Sequence, residues 1–240
     1  LFWVYSYFII VLVMVISSLP SLPPPSAVES SEKKKIKLSY NGKQRFKLLL
    51  VCLYEVAFTI FLVVMMMKMA IFIDVEKIGN AVVSSRAISI TTGGILIGSL
   101  LFGFADKFFR RYTMIVSTLC VAAGTFIMFK GGTIIPVFIG CLFAGLGAGL
   151  NLPTVQSRAL AIGVKADGTF ANAMIIGIMN GGQFLATFVE KGVALFVEPT
   201  ARNLMGTVSI AMIAITVVTL IYIITDPLKG VNAAPEAVEA

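Results

Sequence analysis

Six long apolar runs and one shorter one, separated by brief polar breaks, dominate this chain. They lie at about 1–19, 48–73, 81–104, 112–129, 134–154, 170–189 and 204–225. Runs of this length can cross a bilayer. Lipid offers no partner to an unpaired backbone group, so each run must satisfy its amides internally as a helix. The alternation expected of membrane β-strands is absent. With 58% hydrophobic and 13% charged residues, a soluble domain is excluded. The expected fold is therefore an all-α polytopic transmembrane helical bundle.

Basic residues set the expected orientation. Lys33, Lys34, Lys35, Lys37, Lys43, Arg45 and Lys47 precede the second run, and Lys107, Arg110 and Arg111 follow the third. Arg158, Lys165 and Lys229 fall on the same side if the runs alternate. Bases mark the cytoplasmic face, so the 20–46 loop and the C-terminus are expected there, in the cell membrane. The net charge of +7 follows from topology and anionic lipid. Residues 31–47 are too short for a nucleic-acid reader, so no nucleic-acid partner is expected. Cys52, Cys120 and Cys141 lie inside apolar runs and there is no histidine, which leaves no basis for disulfides, a metal site or a cofactor.

The opening residue is Leu1, with no base ahead of the first run. Residues 1–19 therefore read as a membrane helix cut at its start, in a fragment of a longer protein, the alternative being a signal peptide with Ser17-Ser18-Leu19 as its weak cleavage region. Pro20, Pro23, Pro24 and Pro25 then stiffen a linker over 20–46 that is too polar to fold alone. A six-helix unit over 47–226 follows, ended by Pro227 and a small, mildly acidic tail over 227–240. Glycine and alanine at four-residue spacing mark close helix contacts: Gly94 with Gly98, Gly140 with Ala144 and Ala148, Gly145 with Gly149, and Gly177 with Gly181.

Several polar residues lie where lipid would penalise them. Glu55 sits about seven residues into its run, roughly 10 Å deep. It either binds a proton or a cationic substrate, or reaches back to Arg45 or Lys47 at the interface. Arg86 either snorkels to headgroups or serves an outer gate or anionic substrate. Lys68, 13 residues from Glu55, is about 20 Å away along one helix and cannot pair with it. Thr169, Asn172, Asn180, Gln183 and Thr187 share one helix face, suited to a wet cavity or to interhelical hydrogen bonds. Met65, Met66, Met67 and Met69 point around a helix, so they read as membrane filler and not as a metal cluster.

Between the third and fourth runs stands Gly103-Phe104-Ala105-Asp106-Lys107-Phe108-Phe109-Arg110-Arg111. It resembles the signature loop of the major facilitator superfamily, written roughly G-x-L-A-D-R-x-G-R-R, with Phe109 where the family often has glycine. Gly145-Leu-Gly147-Ala-Gly149-Leu-Asn151-Leu-Pro153 is similar to the glycine-rich end of the family's tenth helix. Asn180-Gly181-Gly182-Gln183-Phe184 resembles the polar opening of its eleventh. The resemblance implies the C-terminal half of such a transporter, a six-helix half preceded by its sixth helix, lacking the N-terminal half as partner. It implies alternating access for a small-molecule substrate, coupled to an ion such as the proton, with export of hydrophobic compounds as one form of it. Gly103, Asp106, Lys107, Arg110 and Arg111 take a gating role in it, with Asp106 facing a neighbouring helix end and pairing with Arg110 or Arg111. Glu55, Arg86, Asn151, Asn172, Asn180 and Gln183 are the candidates for coupling or the substrate path. A receptor or scaffold that kept the fold without transport is the alternative. No phosphate-cradling loop and no cluster of acids or nucleophiles at one depth supports an enzyme.

Overall fold

The computed structural model describes residues 42–162, 168–193 and 200–225, the side chains of 43 and 168–171 apart. The expected first helix, the linker up to 41 and the tail lie outside the described residues. Six helices fill the rest: α1 (Gly42–Val75), α2 (Ala81–Phe109), α3 (Thr113–Lys130), α4 (Ile134–Ile162), α5 (Gly168–Val193) and α6 (Ala201–Ile224). Five stretches are long and apolar enough to cross a membrane. The longest, Ala81–Lys130, is α2 and α3 joined through a single 3-10 turn, Arg110–Tyr112. The chain is membrane-embedded by the length and hydropathy of these helices.

The helices outrun the apolar runs at the end where Arg45, Lys47, Lys107 and Arg158 lie, here called the basic end. α1 begins at Gly42, inside the expected linker, and α2 continues past Gly103 to Phe109. The break expected between the runs ending at 104 and starting at 112 thus shrinks to the three residues of the turn, because charged side chains at a membrane face leave helical hydrogen bonding intact. At the far end, Asn80 starts α2: its Oδ1 accepts from the amides of Val82 at 3.1 Å and Val83 at 3.3 Å.

α2 and α3 do not pack along their length as the short turn leads one to expect. α4 lies against both. Glycine makes this possible on two faces of α4. A Cβ at Gly145 or Gly149 would run into the backbone of α2 at Thr91 or Ile95, and one at Gly147 would sit 2.5 Å from the Ser117 carbonyl of α3. On the facing helices, Gly98 abuts the Leu146 carbonyl and Gly124 lies against that of Gly140. Ser99 and Ser117 hydroxyls reach the carbonyls of Gly149 at 3.1 Å and Gly147 at 2.9 Å. The expectation for Gly177 and Gly181 fails. Nothing lies within 4 Å of a Cβ at either, and α5 instead meets α1 through the neighbouring Gly182.

The packing has an internal symmetry. α4 contacts α2 and α3, α1 contacts α5 and α6, and α3 contacts α6. Exchanging α1–α3 with α4–α6 maps this pattern onto itself. Individual contacts obey the same exchange. Gly98 meets the Leu146 carbonyl and Gly149, while Gly182, 84 residues later, meets the Val56 carbonyl and Thr59, each 90 residues earlier than its counterpart. Each half has three helices, an odd number, so the halves run in opposite senses through the membrane: an inverted repeat.

Filling these contacts should cost stability. Gly98→Ala and Gly149→Ala are expected to lose about 1–3 kcal/mol each through overpacking. Gly181→Ala, with open space around it, should be neutral. Thermal midpoints in detergent check the contrast.

Candidate functional site

Two features stand out: a polar network buried between α1, α3 and α4, and ion pairs at the two ends of the bundle. Glu55 lies 11 residues past Gln44, where the apolar part of α1 begins, about 16 Å along a helix of some 48 Å. It is 1% exposed. Its Oε1 accepts from Thr59 Oγ1 at 3.2 Å and its Oε2 from Asn151 Nδ2 at 2.7 Å. The Asn151 amide is itself held, its Oδ1 accepting from the Tyr54 hydroxyl at 2.8 Å. Ser117 approaches the same oxygen at 3.5 Å while donating to the Gly147 carbonyl. Glu55 therefore does not reach back to Arg45 or Lys47, and no base touches it among the described residues. A carboxyl taken out of water among amide and hydroxyl partners alone is suited to accept a proton or a small cation. Sequence reasoning singled out Glu55 and Asn151 separately. Their bond joins residues 96 apart, and no local pattern signals it.

At the basic end, the partner of Asp106 is neither Arg110 nor Arg111 but Arg158 of α4, whose Nη2 lies 3.4 Å from Asp106 Oδ1. The same nitrogen donates to the Arg110 carbonyl at 2.6 Å, and Thr113 Oγ1 donates to that carbonyl at 2.7 Å with Asp106 Oδ1 also within reach at 3.3 Å. Arg110 takes a positive φ of 47°, an unfavourable backbone for a side-chain-bearing residue. This turns its carbonyl into the cluster. The signature's glycine position falls on Phe109, whose φ of −92° is ordinary, so the strained backbone lies one residue later. Arg111 lies over the Tyr112 ring at 5.2 Å. Gly103 touches nothing across a helix contact, and Lys107 is exposed. Arg158 was legible in the sequence only as one more base.

At the far end, Lys68 of α1 pairs with Glu190 of α5 at 2.6 Å. Glu76 accepts from Arg202 Nη2 at 2.6 Å, and Arg202 Nη1 donates to the Phe129 carbonyl at 3.1 Å. Arg202 holds the Glu76 carboxyl below its ordinary 4.5. The Lys68–Glu190 pair is the repeat counterpart of Arg158–Asp106. Asp106 and Glu190 are 84 apart, as are Gly98 and Gly182, and Arg158 and Lys68 are 90 apart, as are Leu146 and Val56. Each acid sits in a matching tetrapeptide, Phe104-Ala105-Asp106-Lys107 and Phe188-Val189-Glu190-Lys191.

The remaining candidates lie elsewhere. Arg86 is exposed on α2 and makes no hydrogen bond or ion pair among the described residues. Asn180, Gln183 and Thr187 are exposed on α5 and Asn172 is half-buried. Asn180 donates back to the Ile176 carbonyl at 2.9 Å. The Thr169 side chain lies outside the described residues. Met65 and Met69 are core residues while Met67 is exposed, so the methionines do point around α1. No family model, curated protein or solved structure matches the chain.

Arg158→Ala, which strands the Arg110 carbonyl and Asp106, should cost about 1–3 kcal/mol. Asp106→Asn should cost less, because that side chain is already 40% exposed. Arg110→Gly should leave the thermal midpoint unchanged or higher, since only the carbonyl enters the cluster. Glu76, with its lowered pKa, stabilises the fold fully above about pH 4.5, and this is lost as pH falls through the lower folded value. Being a partly exposed pair, its removal by Glu76→Gln should cost at most about 1 kcal/mol, measurable at pH 7 and absent at low pH.

Proposed function

We propose that this chain forms half of a secondary active transporter of the major facilitator type, moving a small solute by alternating access. The observation that carries this reading is the inverted repeat with a matched ion pair at each end. Inverted repeats let one packing scheme serve both membrane orientations, and binding sites lie where the repeats meet. Glu55 and Asn151 meet there, on α1 and α4, the helices that the repeat exchanges.

In this mechanism the basic end faces the cytoplasm, in the cell membrane. The Arg158–Asp106 cluster holds one face and Lys68–Glu190 the other, and closing one accompanies release of the other. Glu55 takes the coupling proton, and Asn151 and Tyr54 report its state to α3 and α4. The exposed faces of α2 and α5 carry Arg86, Asn180 and Gln183, a costly surface against lipid. Their natural cover is the missing six-helix half, with the solute path between the halves.

Flux through the complete protein in proteoliposomes tests the reading. Glu55→Gln should abolish gradient-driven flux while leaving exchange of bound solute intact. Flux that survives Glu55→Gln removes Glu55 from coupling. The ion pairs have their own readout: aqueous labelling of cysteines at Thr187 and Asn172, near the two ends of α5, with Cys52, Cys120 and Cys141 replaced. Lys68→Ala should raise labelling at Thr187, and Arg158→Ala at Asn172. Equal labelling in all variants would overturn the gating role.

A further inference from the structure

A crevice of about 360 Å³ opens between α1, the start of α3 and α6, lined by Leu50, Leu53, Tyr54, Ala57, Val218 and Tyr222 among others. Its rim faces outward, with Leu53 57% and Val218 66% exposed. The crevice is almost wholly apolar and lies within membrane-spanning helices, so its occupant comes from the acyl phase.

Depth and chemistry vary together along it. Tyr222 lies two residues from the end of α6, at the basic end of a helix long enough to span the hydrocarbon core. From there the wall runs back to Ala214, eight residues or about 12 Å, without a charged side chain. The Tyr222 hydroxyl is buried with no hydrogen-bond partner among the described residues, an arrangement that disfavours the empty state. On α1, Lys47 continues the line of Leu50, Tyr54 and Ala57 at helical spacing, one turn nearer the membrane surface. It makes no ion pair among the described residues. An apolar trough, an unpartnered hydroxyl near the helix end and an ammonium at the basic end follow the order of groups in an anionic phospholipid.

We propose that this crevice binds one anionic phospholipid. One acyl chain lies against Ala57, Val218 and Ala214, an ester carbonyl accepts from Tyr222, and the phosphate meets Lys47. The site does not depend on the transport reading. It does touch the buried network, because Tyr54 lines the crevice with its ring while its hydroxyl holds Asn151. A bound chain therefore braces the residue that orients Glu55's partner.

Quenching of a single tryptophan by brominated lipid tests this in the full chain. Trp3, the chain's one tryptophan, is replaced by Phe, and a reporter is placed by Val218→Trp in the crevice or Leu100→Trp outside it on α2, 72% exposed in this chain. Vesicles contain phosphatidylcholine with acyl-brominated phosphatidylglycerol or acyl-brominated phosphatidylcholine. At position 218, half-maximal quenching should need about fivefold less of the anionic lipid than of the zwitterionic one, the preference a single base supplies. Position 100 should show no preference. Lys47→Ala should abolish the preference, and Ala57→Phe, which fills the trough, should weaken quenching at 218. Equal response to the two lipids at 218 would overturn the proposal. So would quenching at 218 weaker than at 100 for both lipids, which would mean that protein, such as the chain's own 1–19 run, fills the crevice.

Discussion

The close approach of α4 to its two neighbours is the constraint on which the bundle depends. In lipid there is no hydrophobic gain from pressing one apolar helix against another, so association rests on short-range packing and hydrogen bonds. Gly145 and Gly149 open one side of α4 to α2, while Gly140, Ala144 and Gly147 open the other to α3. One helix can then take two partners at backbone contact, which in turn fixes α2 and α3 apart despite their three-residue turn. The seryl bonds to the Gly147 and Gly149 carbonyls become possible only at that distance. Asn151 continues the same helix, and its place beside Glu55 depends on how closely α4 sits against α3.

Much of this was legible because lipid leaves the backbone few choices. Helix number and approximate extent follow from apolar runs alone, and the ladders at Gly94, Gly98, Gly145 and Gly149 name the tightest interface. The same four-residue spacing misleads at Gly177 and Gly181, because small residues permit a close contact without supplying the partner. Pairings were not legible. Asp106 has Arg110 and Arg111 beside it in sequence, yet the helix carries them to the far side of a turn, and the partner comes from 52 residues away. The acid that meets Lys68 lies on α5, 122 residues away, where no spacing along its own helix points. The inverted repeat was hidden for a related reason. Its marks are a glycine here and an acid-lysine pair there, recognisable only once contacts show which positions correspond.

The repeat gives the charged residues of this chain a common explanation. An isolated ion pair at a membrane face is ordinary, since bases there serve topology and acids accompany them. Two pairs related by the exchange of halves are a different matter, because each links an end helix segment of α2 or α5 to a base on α4 or α1. The basic-end pair is reinforced by a strained carbonyl and a threonine; no such reinforcement accompanies Lys68–Glu190 among the described residues. The two ends are thus equivalent in design and differ in what surrounds each pair, the far end adding a second ion pair, Arg202–Glu76 at 2.6 Å.

The buried network lies at the contact between the two helices that carry these bases. α1 and α4 carry the bases of the two pairs, and they meet through Glu55 and Asn151. Any rocking of one three-helix half against the other must shift α1 against α4, and so must stretch or re-form the 2.7 Å bond between these side chains. An ionised carboxylate accepts that bond strongly, whereas a protonated one needs an acceptor for its own proton and gains less from the amide. On the proposed transport reading, the charge state of this one residue changes the cost of moving the halves, while the end pairs bias which way they rest. Coupling, on that reading, needs no pathway beyond the α1–α4 contact itself.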